Sequence, residues 1–269
     1  MRELLKTDLK RILKDKLFLV ACILGVIFAV SSPLLSEALI VGLNIEEELG
    51  ASFASAKSMF FSSFSISGNF GLILPILISI ILCKDFSHGT IRNKIICGKT
   101  RSNIFFSTFL SGTIIICGVM LAHALLTLAV SLLFFPYQAE AFTISSFGYM
   151  LISILFSVLL YVFISSLISF LSVCMKNTGL TVIIYIAINF FFSIVGTVIA
   201  LVAMFVKQSD TSAKILEILQ KVNLFTATHI GTGTSYSLSD VLCTLLPIII
   251  GTAICLFLGN YIFKKKDLK

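Results

Sequence analysis

The sequence predicts an all-α integral membrane protein, and composition, long apolar runs and loop charges support that fold class. Of its 269 residues, 58% are hydrophobic and only 12% are charged, and the mean hydropathy is +1.07. A soluble domain carries about 25% charged residues, so this chain cannot build an ordinary water-facing surface. The composition therefore excludes a soluble enzyme and a disordered chain. Period-2 alternation is absent, which argues against a membrane β-barrel.

Six apolar segments are long enough to cross a membrane, since a spanning helix needs about 20 apolar residues. They lie at 17–35, 64–83, 104–135, 146–175, 179–206 and 241–263. The third segment is 32 residues long. It exceeds the thickness of the bilayer core, so we expect it to tilt or to project beyond the membrane.

The residues before the first span, 1–16, predict an amphipathic helix in the membrane interface. Leu5, Leu9, Ile12 and Leu13 recur at helical spacing, with a basic face opposite them. A signal peptide is the alternative interpretation of residues 1–31. The length of the apolar run and the helical spacing before it favour the interfacial helix.

Loop charges predict the orientation of the spans. With both termini in the cytoplasm, the cytoplasmic segments hold 16 of the 20 Lys and Arg residues. This distribution follows the positive-inside rule and requires an even number of spans. Because the basic residues flank the apolar runs, we assign them to orientation and lipid contact, not to nucleic acid.

Two of the three outer connections are then residues 36–63, which are acidic at Glu46–Glu48, and residues 207–240. The second connection contains an amphipathic stripe that predicts a short helix on the outer surface or dipping towards the bundle. The stripe consists of Ile215, Leu216, Ile218, Leu219 and Val222.

Signatures of enzyme chemistry are missing from the sequence, so we predict no catalytic, cofactor-binding or metal-binding residue in this chain. Gly98-Lys99-Thr100 is similar to the end of a phosphate-binding loop, but Asn93 occupies the position of the loop's first glycine. The seven cysteines show no paired spacing, which favours isolated apolar thiols over a metal site or disulfides.

Three polar residues lie within the predicted spans: Asn69, His123 and Asn189. Such residues serve as interhelical hydrogen-bonding groups or as polar positions along a transport pathway. No span contains an acid–base pair in its interior, which argues against a secondary carrier driven by protons or sodium.

The connection between spans two and three, residues 84–104, predicts a short cytoplasmic helix. Ile91 and Ile95 share one face of it, Asp85 can cap or pair locally, and Gly98 can end it. A partner that grips this helix could tilt two spans at once, and we expect Ile91 and Ile95 at the centre of that contact. The alternative is a basic loop that only determines topology.

This connection resembles the permease subunits of ABC-type exporters of the type-2 fold. These proteins often carry an acid, three residues and Gly-Thr, followed by a helix and a turn with Arg before the third span. Asp85, Gly89-Thr90 and Thr100-Arg101 match that spacing, with Asp85 where the family usually has Glu. The Pro often found before the Arg and a Lys about eight residues after it are absent.

The resemblance implies a six-span half-transporter in the bacterial cell membrane. Two permeases, identical or homologous, would pair, and each would dock a separate ATPase that binds ATP and Mg²⁺. The coupling residues implied are Asp85, Gly89, Thr90, Ile91, Ile95 and Arg101. The expected cargo is a hydrophobic or amphipathic molecule such as an antimicrobial peptide. The alternative is a non-transporting immunity or sensor protein that binds a peptide at its outer surface.

Overall fold

The computed structural model of the chain describes residues 1–43, 55–66, 69–87, 89–137, 144–175, 177–205, 211–223 and 238–265. Within these ranges the chain forms helices and no strand. The helices are α1 (Arg2–Leu13), α2 (Lys16–Gly42), α3 (Ala56–Ser62), α4 (Asn69–Ser87), α5 (Thr90–Ile96), α6 (Arg101–Phe134), α7 (Ile144–Met175), α8 (Thr178–Phe205), α9 (Thr211–Val222) and α10 (Leu238–Lys265).

Several of these helices are long and apolar enough to cross a membrane. In the described ranges five pass this test alone: Lys16–Gly42, Arg101–Phe134, Met150–Met175, Thr178–Phe205 and Val241–Lys265. Phe70–Asp85 and Thr90–Ile96 pass it only when taken together across a 50° bend. The predicted class of multi-pass helical protein agrees with this fold, while the count of six spans and their orientation stay predictions.

The predicted second span differs most from the structure, because its predicted start at residue 64 is wrong. Helix α4 begins at Asn69, and Phe64, Ser65 and Ile66 lie outside any helix. The Tyr161 hydroxyl on α7 donates to the Phe64 carbonyl at 3.2 Å, and Nδ2 of Asn189 on α8 donates to the Ile66 carbonyl at 3.5 Å. Other helices thus satisfy buried carbonyls that a continuous helix would have paired internally.

Helices α6 and α7 form the centre of the molecule. Helix α6 packs against α1, α2, α3, α4, α7 and α10. Half of the most apolar stretch of α7 is buried, against 11% of that of α10, so α10 lies at the periphery. The exposed apolar surface of α2, α8 and α10 is the surface that lipid would cover.

Helix α6 has 34 residues and is about 51 Å long. Beyond its last turn, the carbonyls of Pro136 and Tyr137 accept hydrogen bonds from the backbone N–H groups of Ala56 and Lys57, at 3.1 and 3.0 Å. These contacts attach the start of α3 to the far end of α6.

The predicted N-terminal amphipathic helix is present as α1, and one of its sides is buried against the protein. Its predicted place in the membrane interface stays a prediction. Leu4, Asp8 and Ile12 are the residues that α1 buries, and the helix packs against α6. Of the predicted apolar stripe, Leu13 is 53% exposed. The helix therefore packs on the protein through a face that includes an acid.

Candidate functional site

Helix α5 is held between two glycines in the left-handed region. Gly89 has φ of 68° and precedes the helix, and Gly98 has φ of 78° and follows it. The Gly98 N–H donates to the Ile95 carbonyl at 2.9 Å, and the Lys99 N–H donates to the Lys94 carbonyl at 3.2 Å. This pair of bonds is the Schellman ending, in which glycine avoids the steric cost of a Cβ. The prediction that Gly98 ends the helix is confirmed.

The apolar face of α5 is turned towards the protein. Ile91 is 4% exposed and packs in a cluster with Ile104, Phe105 and Phe263, and the half-buried Ile95 packs against the same cluster. These two side chains are therefore occupied by contacts within the chain. Thr90 begins the helix and is half-buried.

The opposite side of α5 is accessible. Arg92, Asn93, Ile96 and Cys97 are all exposed, and Ile96 keeps 74% of its surface accessible. A large apolar side chain at the end of a helix, with polar neighbours, is the composition of a small contact patch.

A buried network of charges connects α5 to three other elements. Lys94 Nζ lies 2.6 Å from Asp8 Oδ1 and 3.4 Å from Asp85 Oδ2, and Arg11 forms an ion pair with Asp85. The Ser107 hydroxyl donates to Asp8 Oδ2 at 2.6 Å. Asp8 is 1% exposed and Asp85 is 0% exposed. The network therefore joins α1, the end of α4, α5 and the start of α6.

The electrostatics of the network are balanced, because two carboxylates face two cations. Burial lowers the pKa of Arg11 and of Lys94, and the charge of Asp8 opposes both shifts. Each ion in such a site depends on its partner, since removal of one side of a buried pair costs about 3–5 kcal/mol. Displacement of α5 would therefore expose uncompensated charges on α1 and α4.

A second ion pair connects the start of α2 to α4. Lys84 Nζ lies 2.7 and 2.9 Å from the two carboxylate oxygens of Asp15, and Asp15 caps α2 by accepting the Leu17 N–H at 3.0 Å. Burial alone would raise the pKa of Asp15. The hydrogen bonds from Lys84 and Leu17, with the charges of Lys84 and Arg11, outweigh burial and lower that pKa.

Thr100 and Arg101 position the start of α6. The Thr100 hydroxyl accepts the Asn103 N–H at 3.4 Å as a helix cap. Arg101 Nη1 donates to the Lys264 carbonyl at 2.8 Å and to the Phe263 carbonyl at 3.5 Å. A cation at the last carbonyls of a helix favours that helix end, so Arg101 fastens α10 to α6.

The predicted coupling residues fall in three helices: Thr90, Ile91 and Ile95 lie in α5 with Gly89 before it, Asp85 lies near the end of α4, and Arg101 begins α6. The charge network contains three residues that sequence reasoning did not single out. These are Asp8, Arg11 and Lys94. The available signal was the position of Asp8 between Leu4 and Ile12 at i, i+4 and i+8, which places it on the buried side.

The polar residues of the predicted spans join helices. His123 Nδ1 donates to the Gly25 carbonyl at 2.9 Å, and its ring lies 4.7 Å from that of Phe70. Asn189 binds the Ile66 carbonyl, as described above. Asn69 begins α4, and its side chain lies outside the described part of the chain.

Residues 18–269 match a family model described as "Protein of unknown function (DUF2705)". The match covers α2 from Phe18 onward and all later helices, and it leaves α1, with Asp8 and Arg11, outside it. A comparison with curated proteins finds no match.

Proposed function

The chain belongs to the DUF2705 family. We propose, from the geometry around α5, that it is the membrane-spanning subunit of an ATP-driven exporter with a separate ATPase. The observation that carries the proposal is the buried charge network around α5. A loop that only determined topology would need exposed basic residues, not two buried acids paired with two partly buried cations.

The network supports a role in transmitting motion. Short connections join α5 to α4 before it and to α6 after it. Lys94 connects α5 to α1 through Asp8, and Asp85 connects α4 to α1 through Arg11. Helix α1 in turn continues into α2 after two residues. A push on α5 would therefore act on three spanning helices together.

The partner-facing side of this helix is the accessible patch of Arg92, Asn93, Ile96 and Cys97. Ile96 takes the central position of the contact, since Ile91 is buried in its own protein. The polar neighbours of Ile96 form the rim of a small docking surface.

The remaining parts of the proposal follow from the resemblance of the α5 region to type-2 ABC permeases. The chain has six spans and cytoplasmic termini in a bacterial cell membrane. Two such permeases pair, ATP and Mg²⁺ bind on the ATPase, and the cargo is a hydrophobic or amphipathic molecule such as a peptide.

Co-purification tests the proposal. The tagged chain, purified in mild detergent, should retain an ATPase with its own phosphate-binding loop. Ile96→Glu should lose that ATPase, because a charge would enter the apolar centre of the contact. Lys99→Gln, a change at an exposed position of the same loop, should retain it. Absence of an ATPase from the wild type, or its full retention by Ile96→Glu, would overturn the proposal. The peptide-binding immunity or sensor protein would then be the better interpretation.

A further inference from the structure

Helix α1 carries four rows of residues spaced four apart, and one of these rows is Glu3, Thr7 and Arg11. One side, Leu4, Asp8 and Ile12, packs on the protein. Viewed along the axis, Leu5, Leu9 and Leu13 follow next, and a row of four cations spaced four residues apart lies beyond them. That row consists of Arg2, Lys6, Lys10 and Lys14.

The basic row is accessible along its whole length. All four side chains are exposed, and none forms an ion pair with a carboxylate in the part of the chain that the structure describes. Over residues 2–14 the row extends about 18 Å. It presents four positive charges along one line, none of them in an ion pair with the exposed Glu3 of the same helix.

The row must lie close to a membrane surface if α2 spans the bilayer. Only Lys14 and Asp15 separate α1 from α2, whose first helical residue is Lys16. This placement depends on the spanning of α2, and not on the exporter function or on which side the N-terminus occupies.

We propose that the basic row of α1 binds the headgroups of anionic phospholipids. The neighbouring Leu13 is 53% exposed, so an apolar side chain adjoins the cations on one side of the row. A bilayer offers both matching surfaces, with acyl chains beside negative headgroups. An acidic protein would match the cations and leave the leucine exposed, which favours lipid.

The same helix connects this lipid contact to α5. Asp8, on the packed side of α1, binds Lys94 of α5 at 2.6 Å. Anionic lipid that holds the outer side of α1 therefore also holds the base of the charge network in place.

A single tryptophan tests the proposal, since the chain contains no Trp. The Leu13→Trp variant carries its only tryptophan beside the basic row. It is reconstituted in two sets of vesicles, in which the brominated lipid is either anionic phosphatidylglycerol or zwitterionic phosphatidylcholine at equal mole fraction. Each surface cation favours an anionic headgroup about fivefold. We therefore expect at least about twofold stronger quenching by brominated phosphatidylglycerol at low salt.

Two controls define the outcome. The ratio of quenching by brominated phosphatidylglycerol to quenching by brominated phosphatidylcholine should fall to about one when Lys6, Lys10 and Lys14 are changed to Gln. It should also fall to about one at high salt, where surface charges are screened. In a second single-tryptophan variant, Phe257→Trp places the tryptophan at an exposed position on α10. The two brominated lipids should quench this tryptophan equally. Equal quenching of Leu13→Trp by the two lipids, or a preference unchanged by the triple substitution, would overturn the proposal. Absence of quenching by either lipid would do so as well.

Discussion

At the scale of single residues, Asp8 is the most consequential position. It is 1% exposed, and its two oxygens bind Lys94 and Ser107. An acid on a helix whose exposed residues are mostly charged would ordinarily be assigned to the solvent side. Its burial shows that α1 is fastened by a specific polar contact and not by apolar packing alone.

Replacement of Asp8 should therefore destabilise the fold strongly. Asp8→Ala leaves Lys94 partly uncompensated in a buried site, and we expect the free energy of unfolding in detergent to fall by about 3–5 kcal/mol. Glu3→Gln, at an exposed acid of the same helix, should stay within about 0.5 kcal/mol of the wild type. Equal stabilities of the two variants would contradict a structural role for the network.

The Asp15–Lys84 pair should make stability depend on pH at the acidic end. Because the pKa of Asp15 is lower in the folded chain than its ordinary value of 3.8, the ionised carboxylate stabilises the fold above that value. This contribution is lost as the pH falls through the lowered pKa.

Asp15→Asn removes the charge and keeps a residue that caps helices well. We expect it to cost about 0.2–1 kcal/mol at pH 7, since the pair is partly exposed. The difference from the wild type should disappear as the pH falls below 3.8, measured by unfolding at each pH. A difference that stays constant down to pH 3 would refute the assignment.

At the scale of elements, the break before α4 shows where sequence reasoning stops. Apolar composition located most of α2, α6, α7, α8 and α10, because length and hydropathy suffice for an uninterrupted span. Residues 64–66, which read Phe-Ser-Ile, adjoin the second apolar run but are not helical. The carbonyls of Phe64 and Ile66 are paired by Tyr161 and Asn189, about a hundred residues away in the chain, and no local pattern reveals such partners.

The α5 region shows the same division. The glycine that ends α5 was predictable, because the left-handed conformation belongs to a local sequence signal. The direction in which Ile91 points was not predictable, because it depends on contacts with Phe105 and Phe263, which lie on two other helices. Local signals thus determine where helices end, while tertiary contacts determine which face is buried.

The break itself requires glycine at position 71. An added Cβ there would overlap the backbone carbonyl oxygen of Ser65 and lie 2.9 Å from the Tyr161 hydroxyl. We expect Gly71→Ala to destabilise the protein by about 1–3 kcal/mol in detergent unfolding, since the carbonyl cannot move away without breaking the turn.

Gly118 on α6 provides the matched control, because nothing lies within 4 Å of an added Cβ there. Gly118→Ala should be neutral or stabilise the helix by about 0.5–1 kcal/mol. If both substitutions had the same effect, the close approach of Ser65 to α4 would be wrong.

At the scale of the whole molecule, the orientation is testable by labelling. In a background without native cysteines, single cysteines at Glu47 and Ser235, both outside the described residues, should react with an impermeant reagent from outside intact cells. A cysteine at Asn93, which is exposed beside the charge network, should react only after permeabilisation. Labelling of the cysteine at position 93 from outside intact cells would contradict the predicted six-span topology.

The length of α6 has a mechanical consequence. Near one end this helix binds Asp8 through Ser107 and the end of α10 through Arg101, and beyond its other end the carbonyls of Pro136 and Tyr137 bind the start of α3. Because the rod is about 51 Å long, a pivot of about 10° at its middle swings each end by about 4 Å, in opposite directions. A displacement of that size exceeds the length of a hydrogen bond. Helix α3 must therefore follow the end of α6 in such a rotation if its bonds to Pro136 and Tyr137 are to survive.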